Sequence, residues 1–107
     1  MAESRAVPQG SFNRRHDALD ATVREVLSVA DPLHLIAAGA PDNEYDPEAT
    51  TIVPRLSDAS DVEDVQRIIH EEFARWFTPE IAGPVERYAP AASSVWRTMV
   101  LLLEESG

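Results

Sequence analysis

The spacing of apolar residues between Val62 and Phe77 constrains the fold more strongly than any other feature of the sequence. Apolar side chains recur there every three or four positions, at Val62, Val65, Ile68, Ile69, Phe73, Trp76 and Phe77. This spacing places them on one face of an α-helix and leaves the charged residues on the other. The sequence therefore predicts a long amphipathic helix with one face against a core.

Local signals predict how this helix begins and which of its charges pair. Ser60 followed by Glu63 has the spacing of a capping box, in which two side chains satisfy free backbone amides at a helix start. Glu63 with Arg67, and Glu71 with Arg75, stand four residues apart in the favourable order. We expect both pairs to form on the polar face.

A second amphipathic helix is predicted over residues 13–30. Its apolar positions share one face and are Leu19, Val23, Val26, Leu27 and Ala30. Asp20 and Arg24 form a further i,i+4 pair. Pro32 should end this helix, because proline disfavours helical geometry in the preceding Asp31. A short apolar turn follows, with Leu33, Leu35 and Ile36.

The last predicted helix runs from about Pro90 to Glu105, after a short helical turn that Thr78-Pro79 begins and Gly83-Pro84 ends. Its apolar residues spread over more than one face and are Val95, Trp96, Met99, Val100, Leu102 and Leu103. A surface this wide is either buried centrally or shared with another molecule. We expect burial.

These elements predict an all-α fold, a small bundle of three main helices plus one or two short helical turns. The expected core aromatics are Phe73, Trp76, Phe77 and Trp96. A chain of 107 residues fits one domain, and without cysteine its stability has to come from packing. We expect a flexible tail over residues 1–12 and a single helical domain over residues 13–107.

The sequence also bears on the compartment. Its first ten residues hold no apolar run typical of a secretory signal, so a cytoplasmic protein is expected. The apolar run from Met99 to Leu103 is far shorter than the roughly 20 residues that span a bilayer, so no transmembrane helix is predicted.

An acidic turn between two prolines, residues 40–48, precedes the next predicted helix. Asp46 is a good N-cap and Pro47 a good first residue, so we expect a helix that begins at Pro47 and is limited or kinked by Pro54. The β-branched run at residues 50–53 would alternatively form a short extended piece. Tyr45 either packs as a hydrophobic staple before this helix or stands exposed as an anchor for a partner.

Charge is distributed unevenly along the chain. The formal net charge is −10, and residues 42–72 hold ten acidic and two basic residues, a net charge of −8. Such a field repels nucleic acid and anionic membranes and speeds encounter with a basic protein, although it would also serve solubility alone. The candidate partner-binding residues are Asp42, Glu44, Tyr45, Asp46, Glu48, Glu63 and Glu72.

Signals for catalysis or metal binding are weak. The three histidines, His16, His34 and His70, are far apart, and His70-Glu71 lacks a second histidine because Ala74 occupies that position. The acids that begin at Asp42 resemble an EF-hand loop, but Pro47 and Val53 occupy its glycine and closing glutamate positions. We therefore predict no catalytic residue, no cofactor and no metal site.

Three short motifs carry a resemblance to a known family. They are Asp31-Pro32-Leu33, Glu44-Tyr45-Asp46-Pro47-Glu48 and the segment from Ile69 to Phe77. Together they resemble a family of small uncharacterised bacterial helical proteins, a domain of unknown function with a D-P-[IL] turn, a Y-D-x-E helix start and an E-F-x-x-W-F helix end. The likeness covers about residues 31–77. It implies a small helical fold and provides no catalytic residues to carry over.

Three functional hypotheses follow. The first is a non-enzymatic acidic protein-binding module that blocks a basic toxin or nuclease as an immunity protein does, an analogy with bacterial proteins of this size and charge. The second is a self-associating accessory subunit, a homodimer for example, that uses the apolar last helix around Trp96, Met99 and Leu103. The third is an enzyme that uses the acidic cluster with a metal.

Overall fold

A computed structural model describes residues 17–106 of the chain, without the side chains of residues 105 and 106. That part contains helices, turns and no β-strand, so the predicted all-α bundle is confirmed. The helices are α1 (residues 17–30), α2 (Asp46–Ile52), the 3₁₀ helix η1 (Val53–Asp58), α3 (Val62–Trp76), α4 (Pro79–Ala82), the 3₁₀ helix η2 (Val85–Tyr88) and α5 (Ala89–Ser106). The predicted tail over residues 1–12 and the predicted helix start at residue 13 lie outside the described residues. Within them, no helix combines the length and the apolar character needed to cross a bilayer.

Helix α3 is the centre of the bundle, because α2, η1, α4, η2 and α5 all contact it. Its predicted apolar face is confirmed at four fully buried residues, Val65, Ile68, Ile69 and Phe73. The Phe73 ring lies 5.1 Å from the ring of Tyr88 and 5.7 Å from that of Tyr45, measured between centroids. The core is therefore built around one phenylalanine between two tyrosines.

The aromatic core differs from the one expected. Phe77 and Trp96 pack against the core while partly exposed, but Trp76 is 47% exposed and its indole nitrogen donates a hydrogen bond to Thr51. The prediction that Trp76 lies in the core is therefore wrong. The two tyrosines take that role instead, and the Tyr88 hydroxyl finds a buried partner in the Ala82 carbonyl, at 2.6 Å.

Helix α1 ends where proline was expected to end it. Asp31 adopts a left-handed backbone conformation, with φ of 45°, and Pro32 follows it out of the helix. The Asp31 carboxylate then accepts hydrogen bonds from the backbone amides of Ile36 and Ala37, at 3.1 and 2.9 Å. One side chain thus shapes the turn that follows the helix.

Tyr45 completes this turn from inside the protein. Its hydroxyl donates to Asp31 at 2.5 Å and accepts from the amides of Leu33 and Leu35, at 3.3 and 3.4 Å. Burial, reinforced by the bond to Asp31, raises the pKa of the Tyr45 phenol to about 12. Since only 1% of Tyr45 is exposed, it packs before α2 as the staple interpretation expected, and the interpretation as an exposed anchor is wrong.

Helix α2 begins one residue earlier than predicted. Asp46 is its first residue, so Tyr45 and not Asp46 holds the N-cap position, and the Asp46 carboxylate pairs with Arg24 of α1 at 3.0 Å. The β-branched residues 50–53 are helical, so the extended alternative is wrong. At Val53 the α-helix passes directly into η1, whose second residue is Pro54.

The N-terminus of α3 shows the predicted kind of cap, displaced by one residue. The Asp61 side chain accepts from the Asp64 amide at 2.8 Å, and the Asp64 carboxylate accepts from the Ser60 amide at 2.9 Å. The capping box predicted from Ser60 and Glu63 is therefore wrong. Aspartates at the neighbouring positions instead satisfy the backbone amides of Ser60 and Asp64.

The predicted short helical turn after α3 is confirmed, and hydrogen bonds hold it against that helix. The Thr78 hydroxyl caps α4, which ends at Gly83 with φ of 79°. His70 of α3 donates through Nε2 to the Gly83 carbonyl at 2.9 Å, and the Gln66 amide donates to the Val85 carbonyl at 2.9 Å. These bonds bring the start of α5 onto α3.

The displaced cap predicts different costs for two similar substitutions. Asp61→Ala should lower the free energy of unfolding by about 1 kcal/mol, because it removes the acceptor of a helix N-terminal amide. Ser60→Ala, the matched control, removes only an exposed hydrogen bond from the Ser60 hydroxyl to Asp64, and the backbone amide of that residue still reaches the same carboxylate, so it should change the free energy of unfolding by less than about 0.5 kcal/mol. Urea denaturation followed by circular dichroism measures both, and a larger loss in Ser60→Ala would restore the capping box first expected.

Candidate functional site

The seven predicted partner-binding residues do not form one continuous surface. Tyr45, Glu48 and Glu72 are buried, with 1%, 4% and 1% of their surfaces exposed, and Asp46 is paired with Arg24. The prediction that these four offer a free acidic face is therefore wrong. The remaining three, Asp42, Glu44 and Glu63, are exposed or half-buried and take part in no ion pair within residues 17–106.

Glu72 is buried because two arginines reach its carboxylate. Arg55 of η1 binds its Oε2 atom at 2.8 Å and binds Glu71 at 2.7 Å, while Arg75 approaches the same Oε2 at 3.2 Å. The hydrogen bond from Arg55 holds the pKa of Glu71 below its usual value. The predicted pair of Glu71 with Arg75 is wrong, because Arg55 holds Glu71 and Arg75 turns to Glu72.

The second ion pair predicted on α3, between Glu63 and Arg67, is also not the one that the structure contains. Arg67 lies 3.3 Å from Asp64 and 3.6 Å from Glu71, so its predicted pairing with Glu63 is wrong. By contrast, the Asp20–Arg24 pair on α1 is confirmed at 2.8 Å. Arginines thus link acids along α3 in an alternating row.

These pairs neutralise much of the acidic segment. Four of its ten carboxylates are paired with arginine: Asp46, Asp64, Glu71 and Glu72. One more, Glu48, is buried. Arg55 and Arg67 are already counted in the formal net charge of −8, but Arg24 and Arg75 come from outside residues 42–72 and weaken the field of this segment further.

Glu48 is the one buried side chain of the described part with an unpaired polar atom, its Oε1. Burial raises the pKa of the Glu48 carboxyl, and the charges of Glu44 and Asp46 raise it further. A hydrogen bond with the backbone of Glu48 itself offsets only part of this effect, and no arginine of the described residues pairs with the carboxylate, so the ionised form is a cost to stability near neutral pH.

The sequence contained a signal for both buried glutamates. Glu72 follows Val65 by seven residues and Ile68 by four, and Glu48 follows Tyr45 by three and precedes Ile52 by four. Each acid therefore lies within an apolar helical face. Their charge alone is typical of surface residues and does not indicate this placement.

The candidate functional site is a groove between the start of α3 and the outer face of α5, here called the α5 groove. Its volume is about 410 Å³, and its lining is Val62 of α3 with Ser93, Trp96, Arg97, Val100, Leu101 and Glu104 of α5. Positions 93, 97, 100, 101 and 104 follow the helical repeat, so they form one stripe along α5. A charged residue stands toward each end of this stripe, with apolar side chains between them.

Only the first half of α5 is buried as expected. Ala91, Ala92 and Val95 belong to the core, whereas Leu101 and Leu103 are 53% and 63% exposed. The prediction that the whole apolar surface is covered is therefore wrong for the C-terminal half. The wide apolar surface is visible in the sequence, but the stripe that faces the core and the stripe that lines the groove are distinguished only by the position of α3.

A second groove, of about 290 Å³, lies between residues 25–30 of α1 and residues 90–94 of α5. Val29 on its rim is 80% exposed. This groove holds no aromatic side chain and is smaller than the first.

Titratable groups are not gathered into a metal-binding arrangement within residues 17–106, where no three or more histidine, aspartate or glutamate side chains are placed to hold an ion. His34 lies exposed in the turn after α1, and His70 is held by the Gly83 carbonyl. His16 lies outside the described residues.

Comparisons with known protein families, with characterised proteins and with solved structures found no match to this chain. The resemblance to a family of small bacterial helical proteins therefore stays a prediction.

The two arginines that reach Glu72 should differ in their effect on stability. Arg55→Met should lower the free energy of unfolding by about 2–4 kcal/mol, because it leaves a buried carboxylate with a single, largely exposed partner in the described part of the chain. Arg75→Met, the matched control, should cost less than about 1 kcal/mol, because Arg75 is mostly in solvent. Equal losses in urea denaturation would contradict this assignment.

Ionisation of Glu48 should make stability fall with rising pH. The folded protein binds the Glu48 proton more tightly than the unfolded chain, whose carboxyl titrates near 4.5, so this contribution is fully present below that pH and is lost as pH rises through the folded pKa. The pKa values of Asp64 and Glu71 are lowered in the folded protein, so these two groups contribute stability that is lost as pH falls. Their effect is confined mainly to pH values below about 4.5.

Glu48→Gln isolates this contribution. The free energy of unfolding of the variant, relative to the natural protein, should increase between about pH 4.5 and pH 8. Urea denaturation across this range measures the difference at each pH, and the contributions of unaltered groups cancel. A difference that does not change with pH would show that Glu48 is not buried as an unpaired acid.

Proposed function

We propose that this protein is a non-enzymatic protein-binding module that docks its partner in the α5 groove. The observation that carries the proposal is the 53% exposure of Leu101 in a groove that also contains Trp96 and Val100. Contiguous exposed apolar surface with a polar rim is typical of protein interaction sites. Tryptophan is also among the residues that contribute most to binding energy at such sites.

The arrangement of α5 supports this role. Its first half is fixed by core contacts, and the short elements α4 and η2 are bonded to α3 just before it. The groove is thus carried by a helix whose position the core determines. A surface held in this way loses little conformational freedom when a partner binds.

A separate observation supports a second candidate docking site, in the acidic turn. Asp42 and Glu44 lie in the turn before α2, outside the ion pairs that neutralise their neighbours. We propose that these two residues form the docking edge if the partner is basic, as in the immunity-like hypothesis. Binding of this kind would weaken strongly with salt.

Site-specific photo-crosslinking in the cells that make the protein tests both candidates. A benzophenone amino acid would replace Leu101 in the α5 groove, Asp42 in the acidic turn, or Ile81 as a control that is 53% exposed, as Leu101 is, and lies outside the groove. We expect adducts with a protein at position 101 and none at position 81. Adducts confined to position 42 would favour the acidic turn, and none at either position would contradict both proposals.

A further inference from the structure

The α5 groove carries charges of both signs in a symmetric arrangement. Arg97 and Glu104 both line it, seven residues apart, and the positions midway between them are Val100 and Leu101. Seven residues are two turns of a helix, so both charges lie along the same stripe, about 10 Å apart. Such a surface is complementary to itself when one copy is reversed.

We propose that the occupant of the α5 groove is a second copy of this chain, paired through α5 in antiparallel orientation. This inference rests on the proposed function and names the partner of the same site. A two-fold axis between Val100 and Leu101 places Arg97 of each copy opposite Glu104 of the other. The same axis places Val100 opposite Leu101, so apolar contacts occupy the centre and ion pairs the two ends.

The overall charge of the chain favours this face for self-association. The chain carries a net charge of −10, which makes two copies repel each other over most of their surfaces. Helix α5 contains one arginine and two glutamates, a net charge of −1, whereas the described part of α1 and helix α3 each have a net charge of −2, so repulsion is weaker along α5 than along the other two long helices. A purely basic partner would be opposed by Arg97, whereas a second copy satisfies both charges.

The geometry gives Arg97 and Glu104 freedom to make these contacts. Both side chains are exposed, and neither takes part in an ion pair within the described residues. Substituting them therefore leaves the core and the ion pairs on α3 intact. Their effect on association is separable from an effect on folding.

Charge reversal measured by sedimentation velocity, from about 1 to 100 µM, tests the pairing. The natural protein should form a dimer within this range. Arg97→Glu and Glu104→Arg should each raise the dissociation constant by about tenfold or more, because each places like charges opposite one another twice. The double variant Arg97→Glu/Glu104→Arg should recover the dimer.

Substitution of two apolar residues of equal exposure by glutamate completes the test. Leu101→Glu should abolish the dimer, because it places two carboxylates near the two-fold axis, and Ile81→Glu, with the same 53% exposure outside the groove, should leave it unchanged. Circular dichroism verifies that each variant is folded. A natural protein that stays monomeric at the highest concentration, or a double variant that fails to recover the dimer, would overturn the inference.

Crosslinking at position 101 separates failure of this inference from failure of the proposed function. An adduct between two copies supports both. An adduct with a different protein, together with a monomer in sedimentation, leaves the proposed function standing and overturns the second copy as occupant. A crosslink within one chain to residues 1–16 would show that the chain fills its own groove and would overturn both.

Discussion

The fold depends on the contact of Phe73 with two tyrosines whose hydroxyl groups both reach polar partners. On one side the Tyr45 hydroxyl binds Asp31 and so sets the turn between α1 and α2. On the other, the Tyr88 hydroxyl binds the Ala82 carbonyl and sets the turn between α4 and α5. A single apolar ring on α3 thereby determines where both connections lie. Tyrosine suits this task because its ring fills the core while its hydroxyl satisfies backbone groups that burial would leave unpaired.

Ion pairing on α3 explains why an acidic chain presents less acidic surface than its composition indicates. Arg55 contacts Glu71 and Glu72 at once, with one guanidinium nitrogen for each carboxylate. A planar guanidinium with several donors makes this double contact in a way that a single ammonium group does not. The arginine therefore fastens η1 to α3, and acids that would attract a basic partner serve the fold instead. The apolar outer stripe of α5 is left uncovered by the core and is the lining of the larger of the two grooves described.

Sequence periodicity was sufficient to predict α1, α3, α5 and the turn after α3, because long apolar repeats and proline boundaries are strong local signals. The predictions that were wrong concern features that depend on contacts between residues distant in sequence. Ser60 and Asp61 are both good caps, and only the position of the helix against its neighbours selects the aspartate. Trp76 has the right spacing for the core, yet lies at the last residue of α3 and turns to Thr51. The α5 groove was foreseen only as excess apolar surface, because its separation from the buried stripe requires knowing where α3 lies.

Asp31 meets two requirements that few residues meet together. Its backbone adopts a left-handed conformation that most side chains disfavour, and its carboxylate accepts hydrogen bonds from two amides and one hydroxyl. Glycine and asparagine tolerate the backbone conformation, but glycine offers no acceptor and asparagine offers one oxygen in place of two. Related chains that keep this turn should therefore retain aspartate here together with the tyrosine, and a change at either position should accompany a change at the other. The turn between α1 and α2 should therefore tolerate few substitutions at these two positions, even though much of it lies at the surface.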